Sequence, residues 1–223
     1  MKNKYIRQTH ISERKFRLLL RLYAEDIPAL TAATLANVNP RTSQRIYTLL
    51  RQRVFTMAAE ETKMFVGEVE VDESYFGPRR VRGKCGRGAA GKIPVIGLHK
   101  RGECVYVSVV NNCSKKELMP VIHGHIAKGT DVYTDGWRAY DGLITDGYKH
   151  HRINHDENLF AQGRNHVNGI ESFWGYAKHR LAKLRGVRSD RFLLHLKETE
   201  WRFNHRHDDR YRLLLLNLTS FPL

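Results

Sequence analysis

Three acidic residues constrain the fold most strongly, because each stands at the boundary of a short regular segment. Asp72 ends a β-type run in which apolar and acidic residues alternate, and Asp135 ends the apolar run 132–134. Glu171 opens a stretch in which apolar residues have helical spacing. Two strand ends and one helix start can bring three carboxylates together, so the pattern predicts an α/β domain with a shared acidic site.

Hard divalent cations are suitable partners for such a site, because they take oxygen ligands. A pair of ions about 4 Å apart can hold both the attacking and the leaving oxygen of a phosphodiester. Crowded carboxylates repel one another unless a cation neutralises them, so the acidic run around Asp72 favours a bound cation. We expect Asp72 to be the ligand on this strand. Glu70 and Glu73 are the alternatives on the same run, and His155 and His166 are weaker candidates to assist the site.

Each carboxylate also has an ordinary structural explanation. The acidic row that contains Asp72 is compatible with a solvated strand edge. Asp135 has the residue type of a helix N-cap or an Asx-turn, and Glu171 that of a first-turn acid stabilised by the helix dipole. The three motifs together, rather than any one of them, favour a metal site.

The charge balance indicates a polyanionic partner. The chain has 38 Lys and Arg against 23 Asp and Glu, which gives a formal net charge of +15. An excess of this size favours binding to nucleic acid through phosphate contacts and counterion release. A ribosome-associated or membrane-surface protein would share it, so the charge becomes informative only beside the acidic motifs.

Cysteine content and hydropathy predict a cytoplasmic protein with no membrane association. Cys85, Cys104 and Cys113 form no C-x-x-C pair, and an odd number argues against a disulfide framework. The longest apolar runs, such as 213–216, are far shorter than a membrane span. No secretory signal pattern is visible in the first residues of the sequence.

Residues 12–55 have the pattern of three helices, and we assign residues 1–60 to a helix-turn-helix DNA-binding region. Ser12 is the expected cap of the first helix, and Pro40 is the expected first residue of the last. In a helix-turn-helix, the N-terminal residues of the last helix enter the major groove. The predicted DNA contacts are therefore Arg41, Ser43, Gln44 and Arg45. An ordinary three-helix bundle is the alternative.

The remainder of the chain, residues 61–223, has the element order of an α/β domain. The runs predicted as strands are 66–76, 93–99, 105–110, 132–135 and 149–153, and those predicted as helices are 114–122, 168–184 and 191–203. Three strands, a helix, two further strands and two helices favour a mixed sheet with flanking helices.

Two basic segments are further candidates for DNA contact. The segment 79–92 contains no acid and predicts a hairpin along the DNA backbone, with a solvated loop as the alternative; its cations are Arg79, Arg80, Arg82, Lys84, Arg87 and Lys92. The same segment fits G-x-x-x-x-G-K, but Ile93 stands where a phosphate-binding loop needs Ser or Thr. Lys178 shares a helix face with Glu171, from which it could reach a phosphate held by the metals.

The motifs together resemble the DDE transposases of small bacterial insertion sequences, particularly the ISXO-type group. The matching segments are the helix-turn-helix start, Glu-Val-Asp-Glu-Ser-Tyr-Phe-Gly, Tyr-Thr-Asp-Gly-Trp-Arg-Ala-Tyr, Asn-His-Val-Asn-Gly-Ile-Glu-Ser-Phe-Trp and Glu-Trp-Arg-Phe-Asn. The resemblance implies a ribonuclease-H-like fold for residues 61–223, with Asp72, Asp135 and Glu171 as a metal-binding triad for two Mg²⁺ ions or Mn²⁺ as a substitute. The N-terminal zinc ribbon of some relatives is missing, so end recognition would rest on the helical region and the basic surfaces.

The resemblance also implies an activity. A transposase of this kind binds the terminal inverted repeats of its element in double-stranded DNA, in the cytoplasm at the nucleoid. Water attacks a phosphodiester at the element end, and the released 3′-hydroxyl then attacks target DNA. Two ends act at once, so a homo-oligomer on DNA is expected. The alternatives are a ribonuclease-H-like endonuclease that cuts without joining and a non-catalytic DNA-binding regulator derived from a transposase.

Overall fold

The computed structural model describes residues 3–77, 91–135, 138–153, 168–184 and 186–223. Its helices and strands, in chain order, are α1 (Glu13–Ala24), α2 (Ala29–Leu35), α3 (Pro40–Glu61), β1 (Glu68–Phe76), β2 (Ile93–Lys100), β3 (Val105–Val109), α4 (Lys115–His125), β4 (Asp131–Asp135), β5 (Lys149–Ile153), α5 (Asn168–Ala182), α6 (Ser189–Asn204) and α7 (Arg210–Ser220). They form two compact units, one of Met1–Glu60 with Val187–Leu223 and the other of Glu61–Gly186.

The N-terminal helices begin where the sequence predicts. Ser12 caps α1, because its Oγ accepts a hydrogen bond from the Lys15 amide at 3.4 Å. Asn39 caps α3 in the same way, with Oδ1 accepting from the Arg41 amide at 2.8 Å. Pro40 occupies the first position of α3, where its missing N–H has no cost.

Helix α6 contributes to the core of the unit formed by Met1–Glu60 and Val187–Leu223, which we call the helical unit. Trp201 is 1% exposed and belongs to the same apolar cluster as Leu20 of α1 and Leu50 of α3. Arg202 is equally buried and donates a hydrogen bond to the Ala24 carbonyl at 2.9 Å, where α1 ends. Carbonyls at a helix C-terminus lack partners within the helix, so this contact ties α6 to α1.

These contacts divide the chain differently from the sequence-based assignment. One compact unit contains residues 1–60 together with residues 187–223, which the sequence-based assignment placed with the sheet. The assignment of residues 1–60 to DNA binding and of residues 61–223 to catalysis stays a prediction.

The second unit is built on a sheet with five strands among the described residues, in the order β3-β2-β1-β4-β5. β1 pairs antiparallel with β2, and β2 pairs antiparallel with β3. β4 lies parallel to β1, and β5 lies parallel to β4. A mixed sheet of this kind with helices packed against it is an α/β architecture, so the predicted α/β fold is confirmed.

Helices cover both faces of this sheet. Val71 of β1 lies in a buried cluster with Leu118 and Ile122 of α4, so α4 covers the apolar face of β1. Successive side chains of a strand point to opposite faces, which puts Glu70 and Asp72 on the other face. Helix α5 packs against that other face through contacts with β1 and β2.

Helix α7 is missing from the sequence prediction, although its start has a recognisable cap. Asp209 Oδ1 accepts a hydrogen bond from the Arg212 amide at 3.0 Å, and the leucine run 213–216 follows it. Strand β5 has the predicted limits, and helix α3 continues to Glu61, beyond the predicted end near residue 55. Within the described ranges, no helix is long and apolar enough to cross a membrane.

Candidate active site

Asp72 and Asp135 lie side by side in the middle of the sheet. β1 and β4 pair in parallel with Val71 opposite Thr134, so Asp72 and Asp135 are the next residues on their strands. Asp135 ends β4 as predicted, whereas Asp72 lies inside β1, which continues to Phe76, so the prediction that Asp72 ends its strand is wrong. Adjacent strands lie about 4.8 Å apart, and matched positions of a parallel pair point to the same face. The backbone therefore places both carboxylates on the face that α5 covers.

Glu171 reaches the same region from helix α5. It lies in the first turn of α5, and its side chain is exposed. Ile170 and Phe173 are fully buried, and these apolar residues hold the inner side of the helix against the sheet. The predicted helical spacing of this segment is therefore confirmed, and it brings a third carboxylate to the site.

The three carboxylates interact electrostatically. Burial raises the pKa of the Asp72 carboxyl above its ordinary value, and the charges of Asp135 and Glu171 raise it further. Hydrogen bonds from the Glu73 amide and the Trp174 indole lower this pKa without offsetting the rise. Each negative charge makes the others less favourable, and a bound cation would relieve this repulsion.

Trp174 orients the Asp72 carboxylate, a role that the sequence analysis missed. Its indole Nε1 donates a hydrogen bond to Asp72 Oδ2 at 3.0 Å, and the residue is 4% exposed. Gly97 of β2 makes room for the indole, because a Cβ at this position would lie 2.5 Å from Trp174 Cζ2. The usable signal is the spacing of three residues between Glu171 and Trp174, which makes them neighbours on a helix.

The two alternative ligands on β1 already have partners within the protein. Glu73 accepts a hydrogen bond from the buried Tyr140 hydroxyl at 2.6 Å. Glu70 is 1% exposed and accepts hydrogen bonds from the Ile170 amide at 2.9 Å and from Arg101 Nε at 3.0 Å. These contacts favour neither residue as a metal ligand.

The predicted DNA contacts on α3 divide into exposed and buried residues. Arg41, Gln44 and Arg45 are exposed near the start of the helix, as a DNA-reading surface requires. Ser43 is fully buried, and its hydroxyl donates a hydrogen bond to the Ala29 carbonyl of α2 at 2.8 Å. The burial of Ser43 is incompatible with direct DNA contact, and its role is to fix α3 against α2.

The other basic candidates are described only in part. Lys178 is exposed on α5, two turns after Glu171. Lys92 is half-buried directly before β2. Outside the described residues lie the predicted DNA contacts Arg79, Arg80, Arg82, Lys84 and Arg87 and the candidate histidines His155 and His166.

The donor atoms of the acidic site are of the type that binds divalent cations. Asp72, Asp135 and Glu171 offer carboxylate oxygens, which hard cations prefer, and their mutual repulsion favours a positive partner. As the side chains stand, the described part of the chain contains no group of three His, Cys, Asp or Glu residues that could hold a metal ion.

Comparison with known sequences identifies the family. A profile of the ISXO2-like transposase domain matches residues 64–204. An uncharacterized transposase-like protein of Haemophilus influenzae is 44% identical over 101 residues, which cover 45% of this chain and 81% of that protein. An uncharacterized protein in transposable element ISH50 of Halobacterium salinarum is 31% identical over 152 residues. That match covers 61% of this chain and only 52%, about half, of the relative.

Two solved structures also align with most of the chain. The Mos1 transposase paired-end complex with left transposon end aligns over 96% of this chain and 80% of that chain, at 10% identity and a TM-score of 0.31. A pre-cleavage Mos1 transpososome aligns over the same shares with a TM-score of 0.29. The family assignment rests on the sequence matches, which confirm the resemblance seen in the motifs. The profile match contains all three acidic motifs, and the chain belongs to the ISXO2-like transposase family.

Proposed function

We propose that this chain is an active transposase that binds the terminal inverted repeats of an insertion sequence and catalyses metal-dependent strand cleavage and strand transfer. One observation carries the proposal: Asp72 and Asp135 are adjacent on parallel strands, and Glu171 of α5 is near enough for its charge to act on Asp72. Membership of a transposase family supports the same function.

In the proposed reaction, Asp72, Asp135 and Glu171 would hold two Mg²⁺ ions, with Mn²⁺ as a substitute. Bound ions would orient the reacting oxygens and neutralise charge on the phosphate. The chain fixes the carboxylates: strand pairing places the two aspartates, the Trp174 indole orients Asp72, and α5 carries Glu171. Water first breaks a phosphodiester at the element end and leaves a 3′-hydroxyl. This hydroxyl then attacks a phosphodiester of the target, forms a new bond to its phosphorus and releases a 3′-hydroxyl of the target strand.

Basic residues would hold the DNA for this reaction. Arg41, Gln44 and Arg45 contact the element end from α3, and Lys178 contacts a phosphate near the acidic site. The net charge of +15 supports backbone binding, which is salt-dependent. The proposal includes a homo-oligomer that joins two element ends, in the cytoplasm at the nucleoid.

The test uses purified protein and labelled duplexes that carry the terminal repeats flanking its gene. Mg²⁺ or Mn²⁺ is added, and nicked ends and products joined to a second duplex are resolved on denaturing gels. Asp72→Asn, Asp135→Asn and Glu171→Gln keep the side-chain size and remove the charge. We expect each variant, and chelation of the metal, to abolish nicking and joining while end binding stays nearly unchanged.

The possible results separate three functions. Joining that needs metal and is lost in the variants supports a transposase. Nicking without joining would instead indicate a ribonuclease-H-like endonuclease, and binding without cleavage in either metal would indicate a DNA-binding regulator. A parallel loss of end binding and cleavage in the variants would contradict the assigned roles, because the carboxylates would then serve folding or DNA contact.

A further inference from the structure

Glu70 is a buried ionisable residue that the proposed reaction does not use. It lies two residues before Asp72 on the same face of β1 and is 1% exposed. Burial of a carboxylate without partners is strongly unfavourable, so its contacts must replace the lost hydration. Those contacts come from a helix, a neighbouring strand and the residue that follows that strand.

One contact joins Glu70 to the first turn of α5. Glu70 Oε2 accepts a hydrogen bond from the backbone N–H of Ile170 at 2.9 Å. Ile170 is the third residue of α5, and the first N–H groups of a helix have no partner within the helix. A carboxylate at this end of a helix also interacts favourably with the helix dipole. The residue after Ile170 is Glu171, so this bond fixes the backbone beside the third candidate ligand.

His99 and Arg101 hold the same carboxylate from the side of β2. Arg101 Nε donates a hydrogen bond to Glu70 Oε1 at 3.0 Å, and His99 Nδ1 lies 3.3 Å from Oε2. Arg101 in turn pairs with Glu68 at 3.2 Å and lies over the Tyr133 ring, 3.8 Å from its centroid. The Glu70 carboxylate therefore has a fixed position from which it can fix α5.

Gly169 lets the helix approach this group closely. A Cβ at Gly169 would lie 2.2 Å from His99 Cε1 and Nδ1, and 2.8 Å from Glu70 Oε2. Both neighbours are buried, so a side chain at this position would push the start of α5 away from the sheet. The close approach at Gly169 and the hydrogen bond from Ile170 are two independent observations of the same contact between α5 and Glu70.

We propose that Glu70 is a positioning residue, which sets the place of Glu171 relative to Asp72 through the N–H of Ile170. The catalytic consequence rests on the proposed transposase function, whereas the structural consequence does not. A contribution to stability alone is the competing explanation. It predicts that the start of α5 keeps its place in any variant that stays folded.

The test compares variants on both sides of the contact, in the full chain. Glu70→Ala removes the acceptor, whereas Glu70→Gln keeps a side-chain oxygen for the Ile170 N–H. Gly169→Ala displaces the helix from the other side, and it carries the test if Glu70→Ala does not fold. Gly124→Ala on α4 is the matched control, because a Cβ there meets no atom within 4 Å.

Two properties are measured for each folded variant. Amide hydrogen exchange at the start of α5 can be measured whether or not the protein cleaves DNA. We expect this exchange to be faster in Glu70→Ala and Gly169→Ala than in the wild type. Metal-dependent cleavage of the end duplex is expected to fall roughly 10- to 100-fold in the same two variants, with DNA binding unchanged. Gly124→Ala should stay close to the wild type in both measurements. Glu70→Gln keeps an acceptor for the Ile170 N–H but loses the charge that pairs with Arg101, so it should lie between the wild type and Glu70→Ala.

Wild-type exchange in Glu70→Ala and Gly169→Ala would overturn the inference. Faster exchange with wild-type cleavage would also overturn it, because the place of α5 would then not matter for Glu171. Equal losses in Glu70→Gln and Glu70→Ala would show that the charge, rather than the acceptor for Ile170, is required. If the wild type cleaves no DNA, the proposed function fails, and the exchange result still decides whether Glu70 fixes α5.

Discussion

At the scale of single residues, one hydrogen bond orients the Asp72 carboxylate. The Trp174 indole donates it, and the Phe76 ring packs edge-on against Trp174 with ring centroids 6.0 Å apart. Trp174→Phe removes the donor and keeps an aromatic ring. We expect end cleavage to fall roughly 10- to 100-fold, because groups that orient a metal ligand have effects of this size. A Mn²⁺ titration of cleavage should also show a higher concentration for half-maximal rate.

Trp201→Phe is the matched control for this prediction. Trp201 is buried in the core of the helical unit, so the same substitution reduces packing far along the chain from Asp72. We expect it to lower the melting temperature without changing the Mn²⁺ requirement. An equal change of the Mn²⁺ requirement in both variants would mean that stability, and not the orientation of Asp72, explains the effect.

Ser43 and Arg45 lie two residues apart on α3 and have opposite expected roles. Arg45 is exposed, so Arg45→Ala should weaken binding of the element end. The slope of the logarithm of the binding constant against the logarithm of the salt concentration should become smaller by about one unit. Ser43→Ala removes a buried hydrogen bond to Ala29 and should lower the free energy of unfolding by about 1 kcal/mol. Fluorescence anisotropy at several salt concentrations and urea unfolding measure the two effects. A reduced salt dependence in Ser43→Ala would contradict this division.

At the scale of elements, α5 shows what the sequence can and cannot predict. The spacing of Ile170, Phe173 and Ala177 predicts a helix with one inner face, and these residues are buried as expected. The contact between Glu70 and Ile170 joins residues 100 positions apart, so no local pattern contains it. From its residue type alone, Glu70 was expected to be solvated or to bind a metal. The partners that allow its burial come together only when the helix and the sheet pack, so the sequence does not reveal them.

The same limit explains the misjudged polar residue of α3. Ser43 has the size and polarity of a DNA contact, and its place near the start of a helix fits that role. A hydroxyl that hydrogen-bonds to a neighbouring helix is nevertheless easily buried, and the Ala29 carbonyl supplies that partner. The exposed neighbours Arg41 and Arg45 have long charged side chains, for which burial without a partner is unfavourable, so their exposure was predictable.

Two glycines of α5 should respond to the same substitution with opposite signs. Gly175 is exposed, and a Cβ there would meet no atom within 4 Å, so Gly175→Ala should raise the free energy of unfolding by about 0.5–1 kcal/mol. Gly169→Ala meets His99 and Glu70 and should lower it. Urea unfolding of both variants is the measurement. A gain of stability in Gly169→Ala would show that the start of α5 moves away from the sheet without cost.

At the scale of the whole chain, the C-terminal segment belongs structurally with the N-terminal helices. Arg202 and Glu198 of α6 form a buried ion pair at 2.9 Å, and Glu198 also accepts a hydrogen bond from Arg51 of α3 at 2.8 Å. The motif Glu-Trp-Arg-Phe-Asn, which supports the family resemblance, thus contains a core residue and the partner of the α1 carbonyls. Residues 1–60 alone therefore lack part of the core that their helices have in the full chain.

Arg202→Met in the full chain tests this dependence. The substitution keeps an unbranched side chain but removes the hydrogen-bond donor to the Ala24 carbonyl. It also leaves Glu198 with one cation fewer, and breaking a buried ion pair costs about 3–5 kcal/mol of stability. We expect faster amide hydrogen exchange in α1 and weaker binding of the element end, because α1 supports the helix that carries Arg45. Arg206→Met is the control, since Arg206 is exposed and such a change typically alters stability by less than about 0.5 kcal/mol. If both variants left the exchange of α1 unchanged, the N-terminal helices would be stable without the contacts of α6, and the helical unit would not depend on the C-terminal segment.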